Sequence, residues 1–127
     1  MESVRIIEAL KRVRHGLLAT ITPTMSVHTV LVNPFWVEGS QAVGVFSRRR
    51  AQKIVNLSHC ASATITLVEG SRYLSLMGSA SVVETQVDVD ACFEAFHEKY
   101  QRSPVQAPDR VLILLRVERT LGLMGVR

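Results

Sequence analysis

The apolar positions of the chain change period several times, and each change marks an element. Val4, Ile7, Leu10 and Val13 recur every three residues among Glu, Lys and Arg, with Gly16 placed to stop the turn, so the spacing predicts a short amphipathic first helix. Two β-rich runs follow, LLATIT (17–22) and VHTVLVNPFW (27–36). The proline and small polar residues of PTMS between them signal a turn, and together they predict a hairpin. AVGVFS (42–47) reads as a third strand. ASATITLV (61–68) and RYLSLMGSASVVE (72–84) read as a second hairpin joined at EGS. Val89, Cys92, Phe93, Phe96 and Tyr100 fall at spacings of three and four, predicting one long helix over 87–101. After the proline-marked loop SPVQAPD, RVLILLRVE (110–118) reads as a buried final strand.

Five or six strands with two long helices, mostly hairpin connections and no βαβ rhythm describe a mainly β chain with appended helices (α+β), an antiparallel barrel. No repeat, low-complexity segment or linker divides it, so residues 1–127 form one domain. Two details refine the strands. The proline of NPF (33–35) removes a ladder donor and marks an edge or a bulge, and Gly78 marks a bulge or a close backbone approach. Trp36 and Tyr73 suit the core, an interface or a planar ligand.

Composition adds limits. At 47% hydrophobic and 20% charged the chain is globular. Its +4 charge, from 15 Lys and Arg against 11 Asp and Glu, favours anionic partners without choosing among them. MESVRIIEALKRVR interrupts its apolar residues with Glu2, Arg5 and Glu8, unlike a signal peptide, and no apolar run approaches the roughly 18 residues of a membrane span. The expectation is a cytoplasmic protein with no membrane partner. Aromatics at 6% provide no stacking platform for single-stranded nucleic acid. Cys60 and Cys92 stand outside any CxxC and read as reduced packing residues. His15, His28, His59 and His97 lack metal-ligand spacing, so no metal is expected. No nucleophile triad is legible, and Asp88 and Asp90 read as first-turn helix acids.

The charge is concentrated in SRRRAQK (47–53). RRAQKIVNLS has a helical period that puts Ala51, Ile54, Val55 and Ser58 on one face and Arg49, Gln52, Lys53 and Asn56 on the other. A cationic, hydrogen-bonding face at a helix start suits a phosphate, held by guanidiniums, one ammonium and the unpaired N–H groups of the first turn. The competing reading is a solvated face that only keeps the helix outside.

The order LLATI, VHTVLVNPFW, VFSRRRAQKIVNL, ATITLVEGSRYLSLMGSASVV and RVLILLRVERTLG resembles the pyridoxamine 5'-phosphate oxidase-like (FMN-binding) split β-barrel superfamily over nearly the whole chain. QKIVN, EGSRYLSLMG and RVERTLG are most similar to its actinobacterial branch that uses the deazaflavin coenzyme F(420) and includes biliverdin reductases. The resemblance implies a six-stranded split β-barrel and a homodimer with cofactor clefts at the subunit interface. The cofactor phosphate would meet the loop and helix after the third strand. Lys53 matches the family's phosphate-binding lysine, and Ser47 stands where a small hydroxyl residue helps to hold the same group. Arg48, Arg49 and Arg50 replace the glycine- or hydroxyl-rich loop that relatives often carry, and serve either the cofactor or a substrate's carboxylates. Asn33, Pro34 and Phe35 would contact the cofactor ring where the backbone bends, and His28 is a further cofactor-contact candidate. The function this implies is an oxidoreductase passing hydride from reduced coenzyme F(420) to a conjugated acceptor such as biliverdin. The alternatives are an FMN-dependent oxidoreductase and a non-catalytic flavin- or haem-type binding protein. A bound hydride donor needs no protein nucleophile, in keeping with the missing triad.

Overall fold

A computed structural model describes residues 2–104 and 107–124; residues 105 and 106 of the SPVQAPD loop lie outside the described residues. Helix α1 (Glu2–Arg12) leads into the hairpin β1 (Gly16–Ile21) and β2 (Val27–Val32), then β3 (Phe35–Val37), a single 3-10 turn (Glu38–Ser40) and β4 (Ala42–Arg48). Helix α2 (Gln52–His59) precedes the second hairpin, β5 (Ser62–Glu69) and β6 (Arg72–Val83). Helices α3 (Gln86–Ala91) and α4 (Phe93–Tyr100) precede β7 (Arg110–Gly122).

The strands form one antiparallel sheet of seven, not six, in the order β2-β1-β5-β6-β7-β4-β3. Pro34 is the reason for the extra strand. With no N–H to donate and a fixed φ, it ends β2, and the run restarts as β3 beside β4 instead of β1. Consequently the two edge strands, at opposite ends of the sheet order, are joined by Asn33 and Pro34 alone. That connection forces the sheet to roll until its edges meet at the bend, leaving a seam that no ladder closes.

Inside the roll, Leu18, Val32, Val43, Val45, Ile65, Leu67, Leu74, Leu76, Ile113 and Leu115 form the main core. α1 packs here through Ile6, Ala9 and Leu10, followed by Val13 just beyond its end, while Val4, read as part of the packing face, is exposed. A second core lies on the opposite face of β3, β4 and the start of β7, where α3 and α4 bring Val89, Phe96 and Tyr100 against Phe35, Val37 and Leu112. The helix expected over 87–101 is two helices. Cys92 adopts φ −96°, ψ −1°, and its N–H bonds to Val89 O at 3.2 Å, three residues back, which ends α3 and redirects α4.

No described element covers the outer face of the other strands. Cross-strand partners place Leu31, Leu17, Thr66, Ser75 and Leu121 on one rung of that face, and Thr29, Ala19, Thr64, Met77 and Arg119 on the next. Leu31 and Leu121 are about 60% exposed there, at 65% and 59%.

The ladder of β6 and β7 slips at Met77/Gly78, and a Cβ at Gly78 would sit 1.9 Å from the Arg116 carbonyl oxygen. Gly78→Ala is therefore expected to lower the unfolding free energy by about 2–4 kcal/mol, the range of a backbone clash inside a sheet. Urea denaturation measures this, and a loss below about 0.5 kcal/mol would mean that the bulge relaxes freely.

Candidate functional site

SRRRAQK does not form one cationic helix face. The chain leaves β4 at Arg48, turns through Arg49 and Arg50, and begins α2 only at Gln52, with Ala51 as its cap residue. Arg48 Nε donates to an Asp109 carboxylate oxygen, the Arg49 N–H donates to Asp109 O at 2.9 Å, and Arg49 Nε lies 2.9 Å from Glu84 Oε1. These two arginines tie the turn to the start of β7 and the end of β6. The Arg48 hydrogen bond is also the main reason that the Asp109 carboxyl is held below its usual range. Arg50 is exposed and has no ion pair with a described residue. Ser47 is buried, its hydroxyl donating to Arg48 O at 3.0 Å.

The packing face of α2 also differs from the expected one. Asn56 and Leu57 are buried, whereas Val55 and Ser58 are exposed. Asn56 goes inside because its amide is satisfied there. Its Nδ2 donates to Thr20 Oγ1 at 2.9 Å, and its Oδ1 accepts from Gln52 Nε2 at 2.8 Å. Rotating the helix about Asn56 brings Lys53 to a half-buried position beside β2. There burial lowers the pKa of its ammonium, which makes no hydrogen bond or ion pair with a described residue.

Lys53 lines a cleft of about 220 Å³ with Val32, Asn33, Phe46, Arg102 and Arg110. It lies beside the Asn33–Pro34 bend, where the face covered by α4 adjoins the bare one. Among the described lining residues there are three cations and no carboxylate. Arg110 is buried with its guanidinium 5.6 Å from the Phe46 ring centroid, and burial, then the charge of Arg48, lowers its pKa. Arg102 stacks on Phe96 at 5.2 Å. Cations held on aromatic faces, with no acidic side chain among the described lining residues, fit the anionic end of a phosphorylated ligand.

Asn33 and Lys53, named from the sequence, thus meet in one cleft. Arg48, Arg49, Ser47 and His28 are not among its lining residues. His28 stands opposite Thr20, and its Nδ1 is buried without a hydrogen-bond partner. Phe35 is core, stacked on Phe46 at 5.2 Å, and Pro34 offers its carbonyl to Lys99 and Tyr100. Sequence reasoning missed Arg102 and Arg110. The available signal for Arg110 was a cation heading an otherwise apolar strand. Among the described residues no group of His, Cys, Asp or Glu is arranged to hold a metal, and no helix is long and apolar enough to cross a membrane.

The chain is a mainly antiparallel β protein whose sheet rolls and carries a cation-lined cleft at its seam. The chain belongs to the pyridoxamine 5'-phosphate oxidase family, whose sequence model matches residues 5–123. It is 34% identical over 113 residues to the F420H(2)-dependent biliverdin reductase of Mycobacterium tuberculosis (strain CDC 1551 / Oshkosh), covering 86% of this chain and 80% of that one. The fold matches that of the conserved hypothetical protein Rv2991 from Mycobacterium tuberculosis, with a TM-score of 0.84 at 21% identity over 99% of this chain and 86% of that one. It also matches an F420 reductase, with a TM-score of 0.72 at 20% identity over 90% and 94%.

Lys99 and Tyr100 give the edge of this region a pH signature. Burial and then the charge of Arg14 lower Lys99 from 10.5 to about 8, while burial raises the Tyr100 phenol above its ordinary 10, against the opposing pull of Arg14 and Arg102. Between pH 8 and 10 the unfolded chain still binds the Lys99 proton that the folded chain is releasing, so this group makes stability rise with pH. Above pH 10 the unfolded tyrosine ionises first and Tyr100 opposes the trend. From pH 8 to 10 the Tm of the parent should therefore climb relative to that of Lys99→Met. A constant difference across that window would show that Lys99 titrates normally.

Proposed function

We propose that the protein is an oxidoreductase that binds reduced coenzyme F(420) in the Asn33–Lys53 cleft and reduces a conjugated acceptor, with a bilin such as biliverdin as the acceptor of choice. The observation that carries this reading is the cleft's set of three cations, with no carboxylate among its described lining residues, in a chain similar to an F420H(2)-dependent biliverdin reductase. Lys53 and Arg110 hold the cofactor phosphate, while Asn33 orients the part of the cofactor nearest the bend. The chemistry supplied by a reduced deazaflavin is hydride donation to an electrophilic carbon of the acceptor. The protein's own contribution is to bind, orient and exclude water, with Phe46 and Phe96 walling the cleft. Arg50, exposed and without an ion pair among the described residues, is the remaining arginine of SRRRAQK for a substrate carboxylate. FMN is the second reading, because a phosphate at Lys53 is common to both cofactors.

Parallel titrations with F(420) and FMN, followed by biliverdin turnover under F(420)H2, test the proposal. Binding of F(420) at micromolar concentrations or below with turnover is expected, and binding of neither cofactor would overturn it. Lys53→Ala should weaken cofactor binding by about 1.5–3 kcal/mol, the scale of a charged hydrogen bond, with little change in Tm without cofactor. Equal dissociation constants would remove Lys53 from the site.

We further propose that two copies pair through the bare sheet face. Leu31, Leu17 and Leu121 are exposed on one rung of that face, separated by Thr66 and Ser75, and the rung ends beside the cleft because Leu31 also lines it, so a second copy would complete a cleft too small for a whole flavin. Light scattering at tens of micromolar should give the mass of a dimer, and Leu31→Glu should shift it toward that of a monomer. A monomeric parent would contradict the two-subunit cleft.

A further inference from the structure

Arg14 directly precedes the segment leading into β1, and Pro34 follows β2 by one residue. The last ladder partners between the two strands are Gly16 and Val32. Beyond that pair the ladder cannot continue, because Pro34 has no N–H. Tyr100, the last residue of α4, occupies this position. Its hydroxyl lies 2.7 Å from Arg14 O and 2.6 Å from Pro34 O, bridging the two segments from outside the sheet. A phenol has one proton and donates to one carbonyl at a time. Lys99 Nζ, 2.6 Å from Pro34 O, gives that carbonyl a second donor, so both carbonyls are satisfied together. Between them, His15 Nδ1 and Asn33 Oδ1 are 2.8 Å apart. Asn33 is thus held through its side chain by His15, and its neighbour Pro34 is held through its carbonyl by Lys99 and Tyr100.

We infer that Tyr100 is a positioning residue for the cleft: its hydroxyl replaces the missing ladder rung and thereby fixes the direction in which Asn33 faces the anion-binding cations. The inference rests on the reading of the cleft as a cofactor site. Three further observations support it. The ring of Tyr100 is anchored on Phe96, another cleft residue, at 4.7 Å between centroids. Arg14, Lys99 and Arg102 surround the same ring at 5.4, 4.9 and 6.0 Å, which restrains it from several sides. Burial keeps the phenol protonated well above neutral pH, so it remains a donor wherever the protein is handled.

Tyr100→Phe keeps the ring and its neighbours and removes only the hydroxyl. The expected result is a Kd for FMN or F(420) raised about 5-fold, the effect of one net hydrogen bond. Affinity for inorganic phosphate, which needs Lys53 and Arg110 but not Asn33, should stay within about 2-fold. Asn33→Ala should cost a similar factor, and the double variant should lose no more than the larger single loss, because Tyr100 acts through Asn33. Without ligand, the Asn33 side-chain amide resonances should move in Tyr100→Phe while the Lys53 backbone amide does not. Lys99→Met, which removes the other donor to Pro34 O, should displace the same Asn33 resonances. Unchanged cofactor affinity, equal losses for phosphate and cofactor, multiplied losses in the double variant, or a stationary Asn33 signal would each overturn the inference. A parent that binds neither cofactor would instead sink the cofactor reading, and the Asn33 resonances would then decide the inference alone.

Discussion

Asn33 and Pro34 are all the chain has with which to pass from one edge of its sheet to the other. The order β2-β1-β5-β6-β7-β4-β3 puts the strands on either side of this pair farthest apart in hydrogen-bonding sequence, yet they are consecutive in the chain. The sheet can satisfy both demands only by rolling. Much else follows from that roll. The interior receives one face of every strand and α1, and the outside of β3 and β4 is left to be covered by α3 and α4. The bend itself becomes a notch whose walls come from both edges.

Pieces of the sequence that are far apart therefore supply the notch. Asn33 comes from the bend, Lys53 from the helix after β4, Arg102 from beyond α4 and Arg110 from the head of β7. The cations are tolerated side by side because two are spread over aromatic rings and Lys53 is only half-buried. The neighbouring Arg48 and Arg49 are paired with Asp109 and Glu84, so the most conspicuous charges of the sequence are engaged outside the cleft while Lys53, Arg102 and Arg110 line it.

That division explains what could be read from the sequence. Alternation within LLATIT, ASATITLV and RYLSLMGSASVV is a local property, and it located the strands and both hairpins. Pro34 was visible as a break, but the seventh strand depended on β3 finding β4, which no local pattern records. Counting apolar residues on α2 turned the helix the wrong way, because its deepest side chain is an amide paired with Thr20, 36 positions earlier. Likewise the arginine partners lie far along the chain: Asp109 is 61 positions from Arg48. Lys53 and Asn33 were legible through family likeness, whereas Arg102 and Arg110 needed the roll to bring them in.

The side chain of Arg5 donates to the backbone carbonyls of Gly122 and Met124, 117 and 119 positions away. Helix α1 is thus held by carbonyls at the far end of β7, and β7 is itself the central partner of both β6 and β4. During synthesis α1 emerges before its anchoring carbonyls, so the Arg5 hydrogen bonds that hold it cannot form until the end of β7 has been made. The two hairpins can form from local contacts as they emerge, but closure of the roll waits for β7 to pair with both β6 and β4.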